Sequence, residues 1–169
     1  MNIVSFDQWL LDTSLNTSVN GLGNRARYRL LRGIRRLRLL ISDPRVTFSM
    51  RAYNLRLPLS HELPFYRRNF ADYAANLGRV SFYVRQKYPD LTMIDVGANI
   101  GDSVAIVRSY GDIPVLCLEG EPRFFRLLKE NTRNLPTVEI EQTFIGAPGD
   151  QISSIEANGG NAQVLLGQT

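Results

Sequence analysis

Six residues of the 169-residue chain have the types and spacing to hold a charged small molecule. Asp95, Gly97, Asn99, Gly101 and Ser103 lie in the stretch MIDVGANIGDSV, and Glu119 follows about two dozen residues after Asp95. Gly97 permits a left-handed backbone and a close approach, and Gly101 lets a helix begin tightly against its neighbours. The first N–H groups of that helix, residues 101–104, have no partner within it and favour an anion. Asp95 and Glu119 each close an apolar run. Carboxylates there suit an ammonium group and a pair of sugar hydroxyls.

Three ligand classes use a turn of this kind. A phosphate loop needs G-x-x-x-x-G-K-[ST], and this stretch has no lysine. A dinucleotide site needs G-x-G-x-x-G, whose middle glycine leaves room for the pyrophosphate, and Asn99 stands in that place. Asp95 would also put a carboxylate close to a ligand that is already anionic, so NAD(P) or flavin binding is the weaker expectation. S-adenosylmethionine carries a sulfonium, an ammonium, a carboxylate and a ribose diol, and no phosphate. In that reading Asp95 attracts the ammonium end, Glu119 accepts from the ribose hydroxyls, and Ser103 adds a donor for the carboxylate. The competing readings are local. Asp95 satisfies N–H groups in its own turn, Asp102 is a helix-start acid favoured by the dipole, Asn99 only shapes the turn, and Glu121 replaces Glu119.

The elements around these residues follow from the apolar pattern. LTMIDV, PVLCLE and TVEIEQTFIG read as strands, the first with both faces covered because its apolar residues do not alternate. Between them lie a helix from Gly101 to about Tyr110 and a second one opening at Pro122. Strand, helix, strand, helix, strand predicts an α/β, Rossmann-like doubly wound parallel sheet. Such a sheet has about six strands, so the expectation is an incomplete, C-terminally shortened domain, with one ragged hairpin after Gly146. Ahead of it, residues 1–60 form a basic helical and hairpin extension, 61–90 a lead-in helix, and 91–169 the ligand-binding part. The extension starts with a short helix and a linker ending at NGLGN. An arginine-rich helix over Arg25–Ile41 is stopped by Ser42-Asp43-Pro44. Two strands turn around Tyr53-Asn54, and one long helix runs from about Pro64 to Tyr88, bent near Gly78.

MIDVGANIGDSVAI followed by VLCLEGEPRFFRLLKENTRN resembles the FkbM-type S-adenosylmethionine-dependent methyltransferases. The likeness runs from about Leu91 to Asn134 and more loosely back to LPLSHELPFYRRNF. It implies that Asp95, Gly97, Asn99, Gly101 and Ser103 form the first cofactor motif and that Glu119 is the ribose-binding acid. It further implies O-methylation of a hydroxyl on a sugar or secondary metabolite. The family's later I-D-x-E-G-x-E segment has no counterpart here. A catalytically incomplete remnant or interaction module is therefore the alternative, and an NAD(P)-linked oxidoreductase comes third.

Methyl transfer to oxygen needs alignment, exclusion of water and, for some acceptors, a base. His61, the only histidine, is expected to serve a turn rather than catalysis. Cys117, the only cysteine, excludes an internal disulfide, suits a reducing compartment, and is expected to pack in a core strand. Apolar residues make up 44% and charged residues 21% of the chain. No apolar run is long enough to span a bilayer, and the N-terminus lacks the basic lead of a secretory signal. The expected location is cytoplasmic, with peripheral membrane contact through the arginine helix a further expectation. Residues 1–89 hold 15 Lys and Arg against 5 acids, and residues 90–169 hold 5 against 11. The acidic half suits a cationic ligand. In the arginine helix Leu30, Ile34, Leu37 and Ile41 recur on one face, with Leu31 and Leu40 beside it, and that stripe is expected against the body. Aromatic residues are sparse among the arginines and no recognition motif is present, so nucleic acid is not an expected partner.

Overall fold

The computed structural model describes residues 5–147, 152–158 and 160–166. The chain runs α1 (Phe6–Asn16), α2 (Leu22–Ile41), β1 (Arg45–Met50), β2 (Tyr53–Pro58), α3 (Leu63–Asn69), α4 (Ala75–Lys87), β3 (Met93–Val96), α5 (Asp102–Arg108), β4 (Val115–Leu118), α6 (Pro122–Thr132), β5 (Val138–Glu141), β6 (Ile152–Asn158) and β7 (Asn161–Leu166). Strands β3, β4 and β5 form a parallel sheet in that spatial order, while β1–β2 and β6–β7 are antiparallel hairpins. The fold is α/β. Among the described residues no helix is long and apolar enough to cross a membrane.

Two short crossovers stepping in one direction put their helices on one face of the sheet. Met93, Val115, Cys117, Val138 and Ile140 meet Val104 of α5 and Leu128 of α6 there. Ile94 and Val96 point the other way and are 62% and 61% exposed. The expectation that both faces of the first strand are covered is thus met on one face only. Cys117 is fully buried, and burial with Asp95 nearby pushes its thiol up to about 12. It is a packing residue.

A second core joins the extension to the sheet's helices. It holds Leu10 and Leu11 of α1, Leu31 of α2, Leu55 and Leu57 of β2, and Ile106 and Phe124 from α5 and α6. Residues from all three expected segments therefore share one apolar cluster. Asn131 locks the parts in place. Its Nδ2 donates to the Ile100 carbonyl at 2.8 Å and to the Arg56 carbonyl at 3.0 Å, and its Oδ1 accepts the Arg56 N–H at 2.7 Å.

Three expectations about residues 1–90 change. The hairpin turns at Arg51-Ala52, with Arg51 left-handed at φ 54, and Asn54 is a strand residue whose side chain takes the Ser49 hydroxyl at 2.7 Å. The long helix is two, α3 and α4, separated at residues 70–74 where Ala74 is left-handed at φ 56. Gly78 lies inside α4, away from that break. A Cβ there would collide with the Tyr110 ring, so the glycine serves close packing of α4 on α5. Lastly, α2 packs through Leu31, Ile34, Arg35, Arg38 and Leu39, while Leu30, Leu37, Leu40 and Ile41 face outward. Two arginines take the inner face because partners await them. Arg35 lies 4.5 Å over the Phe65 ring and donates to the Leu59 carbonyl at 3.0 Å, and Arg38 pairs with Asp7 at 2.8 Å.

Candidate functional site

The site lies beyond the carboxyl ends of the parallel strands, where open α/β sheets bind ligands. Residues 97–101 carry the chain from β3 to α5. Gly97, Asn99 and Gly101 all have positive φ, at 74°, 52° and 87°. Asparagine is one of the few side chains that accept this conformation readily. The turn is pinned to β4 by its backbone. The N–H groups of Gly97 and Ala98 both donate to the Leu118 carbonyl, at 2.8 and 3.1 Å. Gly101 packs against α6, where a Cβ would come 3.1 Å from Leu128 Cδ1. A Cβ on Gly97 would meet nothing within 4 Å. The first glycine is open for a ligand and the second is closed by a helix.

Glu119 is 6% exposed and follows β4 directly. Its Oε2 accepts the Asn99 N–H at 2.8 Å and its Oε1 accepts the Glu121 N–H at 2.7 Å. A carboxylate has about four acceptor positions, so each oxygen keeps one for a ligand. Glu121 is occupied elsewhere. It caps α6 by accepting the Phe124 N–H at 2.7 Å and pairs with Arg123 at 3.1 Å. Geometry thus separates the two acids, with Glu119 at the site and Glu121 at the helix start.

Asp95 shares a sheet face with Cys117, beneath α5, and its Oδ2 is buried without a hydrogen-bond partner among the described residues. Burial raises its pKa from 3.8 to about 6, with Asp102 and Glu119 adding repulsion and Ser103 opposing the shift. An unpaired buried carboxyl oxygen is uncommon and costly. Asp102, at the start of α5, also has its pKa raised, chiefly by burial, with His61 opposing.

Two cavities flank the turn. One, of about 290 Å³, has Gly97, Leu118, Glu119 and Gly120 on its floor and Phe144 and Val164 among its walls. The Phe144 ring lies so close over Gly120 that any Cβ there would collide with it. The other, of about 240 Å³, is lined by Asn99, Asp102, Ser103, His61, Tyr66 and Tyr73 among others. Gly97, Asn99 and Asn161 border both. The Tyr66 and Tyr73 rings stack at 6.0 Å. Hairpin β6–β7 closes over the junction, with the Gly160 carbonyl accepting from Asn99 Nδ2 at 2.7 Å.

His61 is held by its surroundings. Nδ1 accepts the Leu63 N–H at 3.2 Å and Nε2 lies 3.3 Å from Asn99 Oδ1, which fits a neutral ring carrying its proton on Nε2. Burial lowers its pKa.

Of the six expected residues, Gly97, Asn99, Ser103 and Glu119 border the cavities. Asp95 sits under the turn and Gly101 at the helix packing. Sequence reasoning missed Tyr66, Tyr73 and Phe144. The tyrosines fell inside what read as one long helix, and Phe144 inside the stretch read as the third strand, although β5 ends at Glu141. Among the described residues no cluster of His, Cys, Asp or Glu is arranged for a metal ion. No protein-family model, curated protein or solved structure matches the chain.

Proposed function

We propose that the chain carries the cofactor half of an S-adenosylmethionine-dependent methyltransferase of the FkbM type, acting on a hydroxyl of a sugar or secondary metabolite. The observation that carries this reading is the Glu119 carboxylate. It lines a cavity beyond a parallel sheet, beside an open Gly97 whose own turn has no lysine. A pyrophosphate would meet Glu119, Asp95 and Asp102 together, whereas a ribose diol and an ammonium group meet acceptors.

The residues present fit that ligand. Glu119 would accept from the ribose diol through its two spare acceptor positions, in the cavity that Phe144 also lines. The amino-acid end takes the second cavity, near Ser103 and the N–H groups that start α5. The unpaired Asp95 Oδ2 supplies negative charge under that end. When bound, the cofactor supplies an electrophilic methyl group. Tyr66, Tyr73 and the Gly160-Asn161 end of hairpin β6–β7 border that cavity. His61, with both nitrogens engaged, orients Asn99 rather than moving a proton.

A second reading, a non-catalytic remnant or interaction module, is favoured by the uncovered sheet face at Ile94 and Val96. Calorimetric titration with S-adenosylhomocysteine separates the two, since the remnant needs no cofactor affinity.

A further inference from the structure

The outward half of α2 divides into two stripes. Leu22, Ala26, Leu30, Gly33, Leu37 and Leu40 follow one another at intervals of three or four residues along one line, with Ile41 alongside. Leu22, Leu30, Leu37, Leu40 and Ile41 are 86%, 64%, 65%, 83% and 82% exposed. Immediately beside them Arg25, Arg29, Arg32 and Arg36 form a second line at the same spacing, and all four are exposed. None of the four takes part in an ion pair among the described residues, in contrast to the inward Arg35 and Arg38, which pair with Glu62 and Asp7. One helix therefore buries its paired arginines and presents leucines and unpaired arginines to the outside.

We infer that this face is a docking surface for an anionic lipid bilayer, with α2 lying in the plane of the headgroups. Charge and shape act together on this face. Isolated exposed leucines need no explanation, but a continuous line of them bordered by basic residues is the pattern of helices that lie on membranes. The leucines enter the boundary of the acyl chains to a shallow depth. The adjacent arginines meet the lipid phosphates, and each basic residue near such a surface strengthens binding. A second copy of the chain is a poorer occupant, because α2 carries no acidic residue to answer the arginines, and antiparallel two-fold pairing would set the two arginine lines against each other. Nucleic acid would neutralise the arginines but leave the leucines in water.

This inference is independent of the cofactor reading, since α2 contributes no residue to either cavity. It goes beyond that reading by placing the protein at a surface.

The test is co-sedimentation of the full chain with vesicles of phosphatidylcholine alone or mixed with phosphatidylserine. The expected result is binding to the mixed vesicles, weakened by salt and much weaker on the neutral ones. Arg32→Gln should lower the partition coefficient roughly fivefold. Leu40→Asp should abolish binding while leaving the thermal midpoint unchanged, because residue 40 touches little of the body. Three results would overturn the inference. They are absence of binding to the mixed vesicles, binding indifferent to both substitutions, and a lipid-free dimer that Leu40→Asp converts to monomer. Tight RNA binding that survives Leu40→Asp, without vesicle binding, would assign the face to nucleic acid instead.

Discussion

Glu119 Oε2 accepts the Asn99 N–H at 2.8 Å, so the acid at the end of β4 holds the turn that leaves β3. The same carboxylate takes the Glu121 N–H. One side chain therefore fixes both loops that border the cavity beyond β3 and β4.

Removing that carboxylate leaves two buried N–H groups without acceptors. Glu119→Ala should lose about 2–4 kcal/mol of stability, measured by urea denaturation, because an unsatisfied buried donor costs about 1–3 kcal/mol. Glu119→Gln keeps one acceptor oxygen and should lose less. A Glu119→Ala variant as stable as the parent would mean that the staple is not formed in solution.

Asp95 makes the opposite prediction. Its folded-state pKa of about 6 lies above the ordinary 3.8, so on raising the pH the unfolded chain loses this proton first. Stability should fall as pH rises through that window and stay low above it. A rise of about two pK units corresponds to roughly 2–3 kcal/mol. Asp95→Asn should remove this slope and stabilise the ligand-free protein at pH 8, while weakening any cationic ligand. Urea midpoints across pH for parent and variant check it, and parallel curves would contradict it. A carboxylate that costs stability in a cleft is a functional candidate.

His61 is the only histidine, so its ring protons are unambiguous in an NMR titration. Burial should hold its pKa below the ordinary 6.5. Because the unfolded chain takes up this proton first on acidification, the neutral ring contributes stability that is lost as pH falls below 6.5. A pKa at or above that value would contradict the packed, neutral ring.

Gly78→Ala ordinarily stabilises a helix interior by about 1 kcal/mol. Here it should destabilise by about 1–3 kcal/mol, because the new methyl collides with the Tyr110 ring. A double variant with Tyr110→Ala should recover the helical gain relative to Tyr110→Ala alone. Thermal denaturation of the four proteins closes the cycle.

The parallel sheet and its crossovers were legible because several local signals agree there. Short apolar runs, Pro122 at a helix start and two glycines after Asp95 leave few alternatives. Glycine alone was ambiguous. The same residue type holds an open turn at Gly97, seats a helix at Gly101 and admits a neighbouring ring at Gly78, and only coordinates separate these roles. The break at residues 70–74 carries neither glycine nor proline, since a left-handed Ala74 does that work under tertiary packing. The inward face of α2 was misread because apolar spacing cannot foresee that Asp7 and Phe65 will draw two arginines inside. Glu119 was expected as a ligand acid, while its hold on two backbone N–H groups lies in long-range geometry that no motif spells out.

The most direct test of the cofactor reading is calorimetric titration of the folded chain with S-adenosylhomocysteine, alongside Gly97→Ala and an NADH control. A Cβ at position 97 projects into open space bordering both cavities, but at φ 74° any side chain strains the turn, so the variant's fold is checked by thermal denaturation beside the titration. The account predicts one site on the parent, affinity weakened roughly tenfold or more in the variant, and no heat with NADH. A folded parent that ignores S-adenosylhomocysteine, or one that binds NADH in its place, would contradict it.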